Sequence, residues 1–341
     1  MRRRTGLRVR LGLAAAVVVC TSAAVPSSVQ SAPSAVSGPE PTPVQEYPVR
    51  LIAYVANSGS ASVSSYDVQL AKPLTTTQVG KGPTGVGAAP DGSQVYVANG
   101  QSNTVSFIET SGHKVVATVP VGTRPFAAYP SRDGKRVLAA NWGSDTVSVI
   151  DTAGRKVVAT TRVGELPHSI TTIPDGTAYI TDSGSNDVTV LSKENRVETR
   201  IPVGDFPSGI TSTVGGEYVY VANTGAGGIS VIDTATDKVT ATWPVGKAPL
   251  GLAVSPDGKR LYAADSSANA LLIIDTANGR VLYRVPVGKT PQGVAVSPGG
   301  GRAWVTNEAS DTVSVVDTAT AKVRVSLPTG HQPEGIAITP R

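Results

Sequence analysis

Apolar and polar residues alternate along this chain in short runs, as in Thr146-Val147-Ser148-Val149-Ile150 and Thr312-Val313-Ser314-Val315-Val316. A period of two sends successive side chains to opposite faces of a strand, and the β-branched residues that fill these runs suit a pleated surface. No long stretch carries apolar residues at helical spacing. The pattern predicts an all-β chain.

The runs fall into a repeating unit of four strands. An inner strand such as Gly293-Val294-Ala295-Val296 follows a Pro and ends at a turn of the kind Pro256-Asp257-Gly258. A second strand (Arg260 to Ala264) leads through a Gly/Ser/Asn loop to an alternating third strand, and Asp317-Thr318 marks the next turn. Such Asp and Thr side chains bond nearby backbone groups and so favour turns. A fourth strand resembling Lys156-Val157-Val158-Ala159-Thr160 returns to the next Val-Gly.

The punctuation is periodic. Gly80, Gly122, Gly164, Gly204, Gly246, Gly288 and Gly330 each precede a Pro by three residues, at intervals of 42 with one of 40. Seven four-stranded units at constant spacing predict a seven-bladed β-propeller. Val49 to Asn57 reads as a second strand with no inner strand before it, and Gly335-Ile336-Ala337-Ile338 as an inner strand with nothing after it. Together they predict a composite closing blade, three strands from the N-terminal side and one from the C-terminus, that leaves no inner edge open.

Tyr54-Val55-Ala56-Asn57, Tyr96-Val97-Ala98-Asn99, Tyr220-Val221-Ala222-Asn223 and Trp304-Val305-Thr306-Asn307 resemble the hallmark of the YVTN-repeat β-propellers, as do Val231-Ile232-Asp233-Thr234 and Ser255-Pro256-Asp257-Gly258. The resemblance covers residues 49–341; Leu138-Ala139-Ala140-Asn141 and Tyr179-Ile180-Thr181-Asp182 depart from it without loss of register. It implies an exported or surface-layer-like seven-bladed propeller and brings no catalytic motif with it.

Residues 1–25 differ in kind: five arginines head an apolar run from Leu11 to Val19, then small residues through Ala24. That is the pattern of a secretory signal peptide, with a retained membrane anchor as the other reading. Val17-Val18-Val19 lacks the small residue that lipid attachment at Cys20 would want. Residues 26–48, rich in Pro, Ser and Ala, read as a flexible linker, with the propeller over 49–341. The expected location is extracellular or envelope-associated.

The net charge of +5 belongs to that leader: its five basic residues removed, 25 basic face 25 acidic. A neutral body argues against binding a phosphate backbone, so single-stranded nucleic acid is a disfavoured alternative. Cys20 is the sole cysteine, which leaves no thiolate chemistry or disulfide in the propeller.

Sorting loop charges by face gives the face that carries the repeat Pro four basic residues against nine acidic, counting Asp182, Asp265, Glu308 and Glu334; the opposite face balances. The residue after each Pro varies, as Thr84, Phe126, His168, Ser208, Leu250, Gln292 and Glu334, whereas the next is always Gly, Ala or Ser. Constant positions read as scaffold, and the varied set, ringed by Arg124, Leu166, Phe206 and Gln332, as the mouth of a central channel. Drift at a tolerant, solvated position would give the same pattern.

The candidate binding residues are Arg124, Phe126, Trp142, His168, Phe206, Gln292, His331 and Glu334. Two histidines and a carboxylate at the mouth are a conceivable metal or base set, but no metal-spacing motif or cofactor loop is present, so no catalytic residue, metal or cofactor is assigned. His113, in an outer turn, reads as solvated. The expected function is non-enzymatic binding or scaffolding through the acidic face and channel mouth, by a monomer with no membrane span, toward an envelope macromolecule or a small ligand. A propeller hydrolase or lyase, lactonase-like and metal-assisted, is the alternative.

Overall fold

The computed structural model describes residues 50–339; the signal-peptide and linker segments lie outside the described residues. Seven four-stranded antiparallel sheets form the ring. Blade 1 pairs Pro333–Ile338 with Ile52–Asn57, followed by Ser62–Asp67 and Lys72–Gln78. This is the composite closure expected from the sequence. Blades 2 to 7 are continuous and begin at inner strands Pro83–Ala88, Pro125–Pro130, Pro167–Thr172, Pro207–Ser212, Pro249–Val254 and Pro291–Val296. The only helical turns among the described residues are two single 3-10 turns, Ser58–Ser60 and Glu308–Ser310. No helix among the described residues is long and apolar enough to cross a membrane.

Burial follows the alternation. Second and third strands are buried on both faces, as in Ile52–Asn57 and Ser62–Asp67, because each blade packs between two neighbours. Fourth strands such as Lys156–Arg162 alternate half-buried and exposed residues at the rim. The apolar core is accordingly divided into seven clusters, one at each blade-to-blade interface. Between blades 2 and 3, Tyr96 and Phe107 meet Ala128, Val137 and Ile150.

Two repeat positions explain the motif. The Asn that ends five of the seven second strands is buried and turns its amide onto third-strand hydroxyls: Asn99 Nδ2 donates to Thr104 Oγ1 at 3.0 Å and to Ser106 Oγ at 2.9 Å. Asn57, Asn141 and Asn307 make the same pair of bonds. In the turns, the Thr of Asp-Thr donates back to the preceding hairpin, Thr152 Oγ1 to the Gly134 carbonyl at 2.9 Å and Thr318 Oγ1 to that of Gly300 at 2.6 Å.

Two sequence expectations need correction. Asp182 and Asp265 occupy the Asn position and are wholly buried, so they are not charges of the loop face; seven acidic residues against four basic remain there. His113 is not simply solvated. It packs half-buried on Tyr54, whose hydroxyl lies 2.9 Å from its Nδ1, and that burial lowers its pKa.

Candidate functional site

The inner strands line a channel. Its waist is the ring of small residues after the varied position, Gly85, Ala127, Ser169, Gly209, Gly251, Gly293 and Gly335. They are small because neighbouring inner strands nearly touch: a Cβ on Gly251 would sit 2.2 Å from the Gln292 carbonyl oxygen. The waist cavity is about 110 Å³, with a larger space of about 340 Å³ on the far side. On the Pro side the channel opens into a cavity of about 620 Å³, within the range of small-molecule pockets.

This mouth gathers six of the eight candidates: Arg124, Phe126, Trp142, His168, Phe206 and Glu334. Gln292 sits at the waist, where its Nε2 donates to Glu308 Oε2 at 2.6 Å. His331 does not join the cavity. Its side chain is turned to solvent on the rim, with Nδ1 2.9 Å from Asp311 Oδ2. His168 and His331 therefore do not share a ligand site, and among the described residues no three His, Cys, Asp or Glu side chains converge on one point.

The backbone that presents the mouth is held in an uncommon conformation. Arg124, Leu166, Phe206, Thr290 and Gln332 each precede a Pro and take φ of 49 to 54°. Non-glycine residues visit this left-handed region at a cost, which surrounding bonds must offset. An Asn or Asp of the preceding blade supplies that bond in all five: Asn103 Oδ1 accepts from Arg124 N at 2.8 Å, Asp145 from Leu166, Asn186 from Phe206, Asn269 from Thr290 and Asp311 from Gln332. In the two blades without such a side chain, at Ala61 and Gly227, the mouth residue is Gly82, which tolerates positive φ, or Ala248, which avoids it.

The walls of the mouth differ in chemistry. On blade 3 the Arg124 guanidinium lies over the Trp142 ring, 4.4 Å from its centroid, and orders it at the rim. Phe126 stacks on His168 of blade 4 with ring centroids 3.9 Å apart. The His168 Nδ1 is sealed from solvent without a hydrogen-bond partner. Burial pulls its pKa down to about 4, opposed by the Ser208 backbone, so the ring is neutral at pH 7. Across the mouth, half-buried Glu334 of blade 1 is pushed up to about 7 by burial, with Ser58 opposing and the Glu308 carboxylate of blade 7 adding to the rise.

From one class of site residue the sequence singled out only Trp142. The position after the second-strand Asn faces the mouth in blades 1, 2, 3 and 7, as Ser58, Gly100, Trp142 and Glu308. Its variation from blade to blade was the available signal.

The YNCE-like beta-propeller family matches residues 49–178 and 175–299. The chain belongs to that family. Among solved structures, this YNCE-like propeller is similar to Kuenenia stuttgartiensis hydrazine synthase, at 24% identity and a TM-score of 0.70, over 78% of this chain and 92% of that one. It is similar to a functionally unknown protein from Desulfotomaculum acetoxidans, at 16% identity and a TM-score of 0.76, over 84% and 98% of the two chains. It also resembles the Pseudomonas aeruginosa periplasmic gluconolactonase, at 20% identity and a TM-score of 0.70, over 85% and 99%. At these identities the likeness shows the fold alone. No curated protein matches the YNCE-like propeller in sequence.

Proposed function

We propose that this YNCE-like propeller is an exported binding module that holds a ligand at its channel mouth without transforming it, either a small organic molecule or the exposed end of an envelope macromolecule. The single observation that supports this is the unequal chemistry of the mouth from blade to blade. Scaffold positions are uniform around the ring, whereas acidic side chains enter the mouth from blades 7 and 1 and aromatic or cationic ones from blades 3, 4 and 5, around about 620 Å³ of space to which blade 6 contributes nothing. Export rests on the arginine-headed apolar segment at residues 2–19. A ligand that binds only the folded ring raises its melting temperature, by about 2.7 kcal/mol of stability at a hundredfold excess over Kd. The test is thermal unfolding of the purified chain with lactones, cell-wall sugars, organic amines, divalent cations with a chelator control, and single-stranded DNA. The upward shift expected with a small organic ligand should vanish in Phe126→Ala/Glu334→Ala; a shift kept by that variant would move the site away from the mouth.

One observation favours a second reading, lactone hydrolysis: Glu334, its pKa near 7, shares an aromatic cavity with neutral His168. The periplasmic gluconolactonase of similar fold makes gluconolactone the substrate to try. Hydrolysis above background that Glu334→Gln abolishes would replace the binding proposal with this one.

A further inference from the structure

Glu308 and Glu334 enter the mouth from adjoining blades, and neither takes part in an ion pair among the described residues. Both are half-buried. Two carboxylates drawn partly out of water and toward each other repel, and each lacks a counter-charge. The wall on blades 3 and 4 is the Phe126–His168 stack with Trp142 above it. Between the acidic and aromatic walls, blade 2 contributes Gly82 and Gly100 at positions that carry Arg124 and Trp142 one blade on, beside Thr84 and Gln101, so that stretch holds no charged or aromatic side chain. The one cation in the cavity, Arg124, is exposed and lies over Trp142 on the aromatic side.

We propose, resting on the reading of the mouth as a small-molecule site, that its ligand is an organic amine: an ammonium group set between Glu308 and Glu334, and an apolar or aromatic body laid over blade 2 against Phe126, His168 and Trp142. The ammonium supplies the missing counter-charge as charge-assisted hydrogen bonds, and the aromatic faces favour a cation and its carbon frame alike. Binding draws Glu334 into its ionised form, so the complex releases a proton near neutral pH and tightens as pH rises through about 7. The charged groups around Glu334 are Glu308 from blade 7, which opposes its ionisation, and Arg124 with neutral His168 across the cavity. His331, outside on the rim, is held by Asp311.

Isothermal titration of the purified chain with phenethylammonium, phenethyl alcohol and phenylpropionate tests this. The ammonium should bind at least about tenfold more tightly than the alcohol, the worth of one charge-assisted hydrogen bond. That advantage should grow between about pH 6 and about pH 8 as Glu334 ionises. It should disappear in Glu334→Gln while the alcohol binds as before. Glu308→Gln should weaken the ammonium alone, and keeps the test open if Glu334→Gln does not fold. Equal affinity for ammonium and alcohol, or ammonium binding unchanged in both variants, overturns the amine inference and leaves a mouth for neutral ligands. Tighter phenylpropionate overturns it in favour of anions held by Arg124. Binding by none of the three overturns the small-molecule reading together with the inference.

Discussion

Gly122 lies directly against Asn141: a Cβ placed on Gly122 would come within 2.6 Å of the Asn141 amide carbon. The same contact recurs in every blade, with Gly80 on Asn99, Gly164 on Asp182, Gly204 on Asn223, Gly246 on Asp265, Gly288 on Asn307 and Gly330 on Asn57. The two most regular features of the repeat are thus one feature. The Asn must be buried to reach the third strand, and the chain arriving from the previous blade must be glycine to cross it.

Gly122→Ala is therefore expected to destabilise the ring by about 1–3 kcal/mol, the usual cost of overpacking a filled interior. Gly299→Ala is the control. Nothing lies within 4 Å of a Cβ there and its φ is not positive, so it should be neutral or slightly stabilising. Thermal or urea unfolding of both variants checks the contrast.

Asp182 sits where five blades have Asn, and burial raises its pKa to about 7. An unfolded Asp ionises near pH 4, so between about pH 4 and about pH 7 the native state holds a proton that the unfolded state has lost. Stability is thus highest below that window and falls as pH rises through it. Asp182→Asn should remove part of the fall and stabilise the ring at pH 8 by on the order of 2 kcal/mol, with little effect at pH 4. An Asn there meets the Thr189 hydroxyl as Asn141 meets Ser148. Glu334 titrates in the same range and contributes a second fall, so the double variant with Glu334→Gln should be flattest. Denaturant midpoints across pH measure both.

The bond that holds each mouth residue at positive φ can be removed or added. Asn103→Ala strips the acceptor from Arg124 N and should cost about 1 kcal/mol. Ala61, at φ 50°, has no such side chain; Asn tolerates this region better, and Ala61→Asn should stabilise by a few tenths of a kcal/mol. Unfolding midpoints of the two variants should move in opposite directions.

Arg132 replaces the Pro found at this turn in Pro90, Pro174, Pro256 and Pro298. Its guanidinium reaches the Thr172 carbonyl at 3.0 Å and Ser212 Oγ at 3.2 Å, so one side chain of blade 3 ties blades 4 and 5. Arg132→Met should lower stability by about 1–2 kcal/mol through the loss of these bonds, and should leave ligand binding at the opposite face unchanged.

The sequence carried the ring because its strands and turns repeat: the Gly-to-Pro spacing, the alternation and the unpaired end strands each marked a local requirement that every blade obeys. Mouth positions flanking the Pro were legible as departures from that uniformity. What was not legible depends on contacts across blades. His331 faces outward because Asp311 of blade 7 holds its ring. The stacking of Phe126 on His168, and the approach of Glu308 to Glu334, are set by neighbours 42 and 26 residues away. Asp182 and Asp265 could have been recognised as interior, since each stands at the Asn of the motif; sorting charges by loop alone hid that.

The closing blade has a mechanical consequence. Its inner strand runs from the mouth at Pro333 to the far face at Ile338, and the neighbouring strand starts there at Ile52, with Ile52 N bonded to Thr339 Oγ1 and Thr339 N to the Ile52 carbonyl. Both ends of the ring therefore leave from the side opposite the mouth and next to each other. A load pulling them apart bears on one hydrogen bond at a time, as in opening a zip, and does not shear the whole ladder at once. A ring held by seven blade-to-blade interfaces is thus weakest against a pull at its ends, and a molecule immobilised by either end keeps its mouth turned outward.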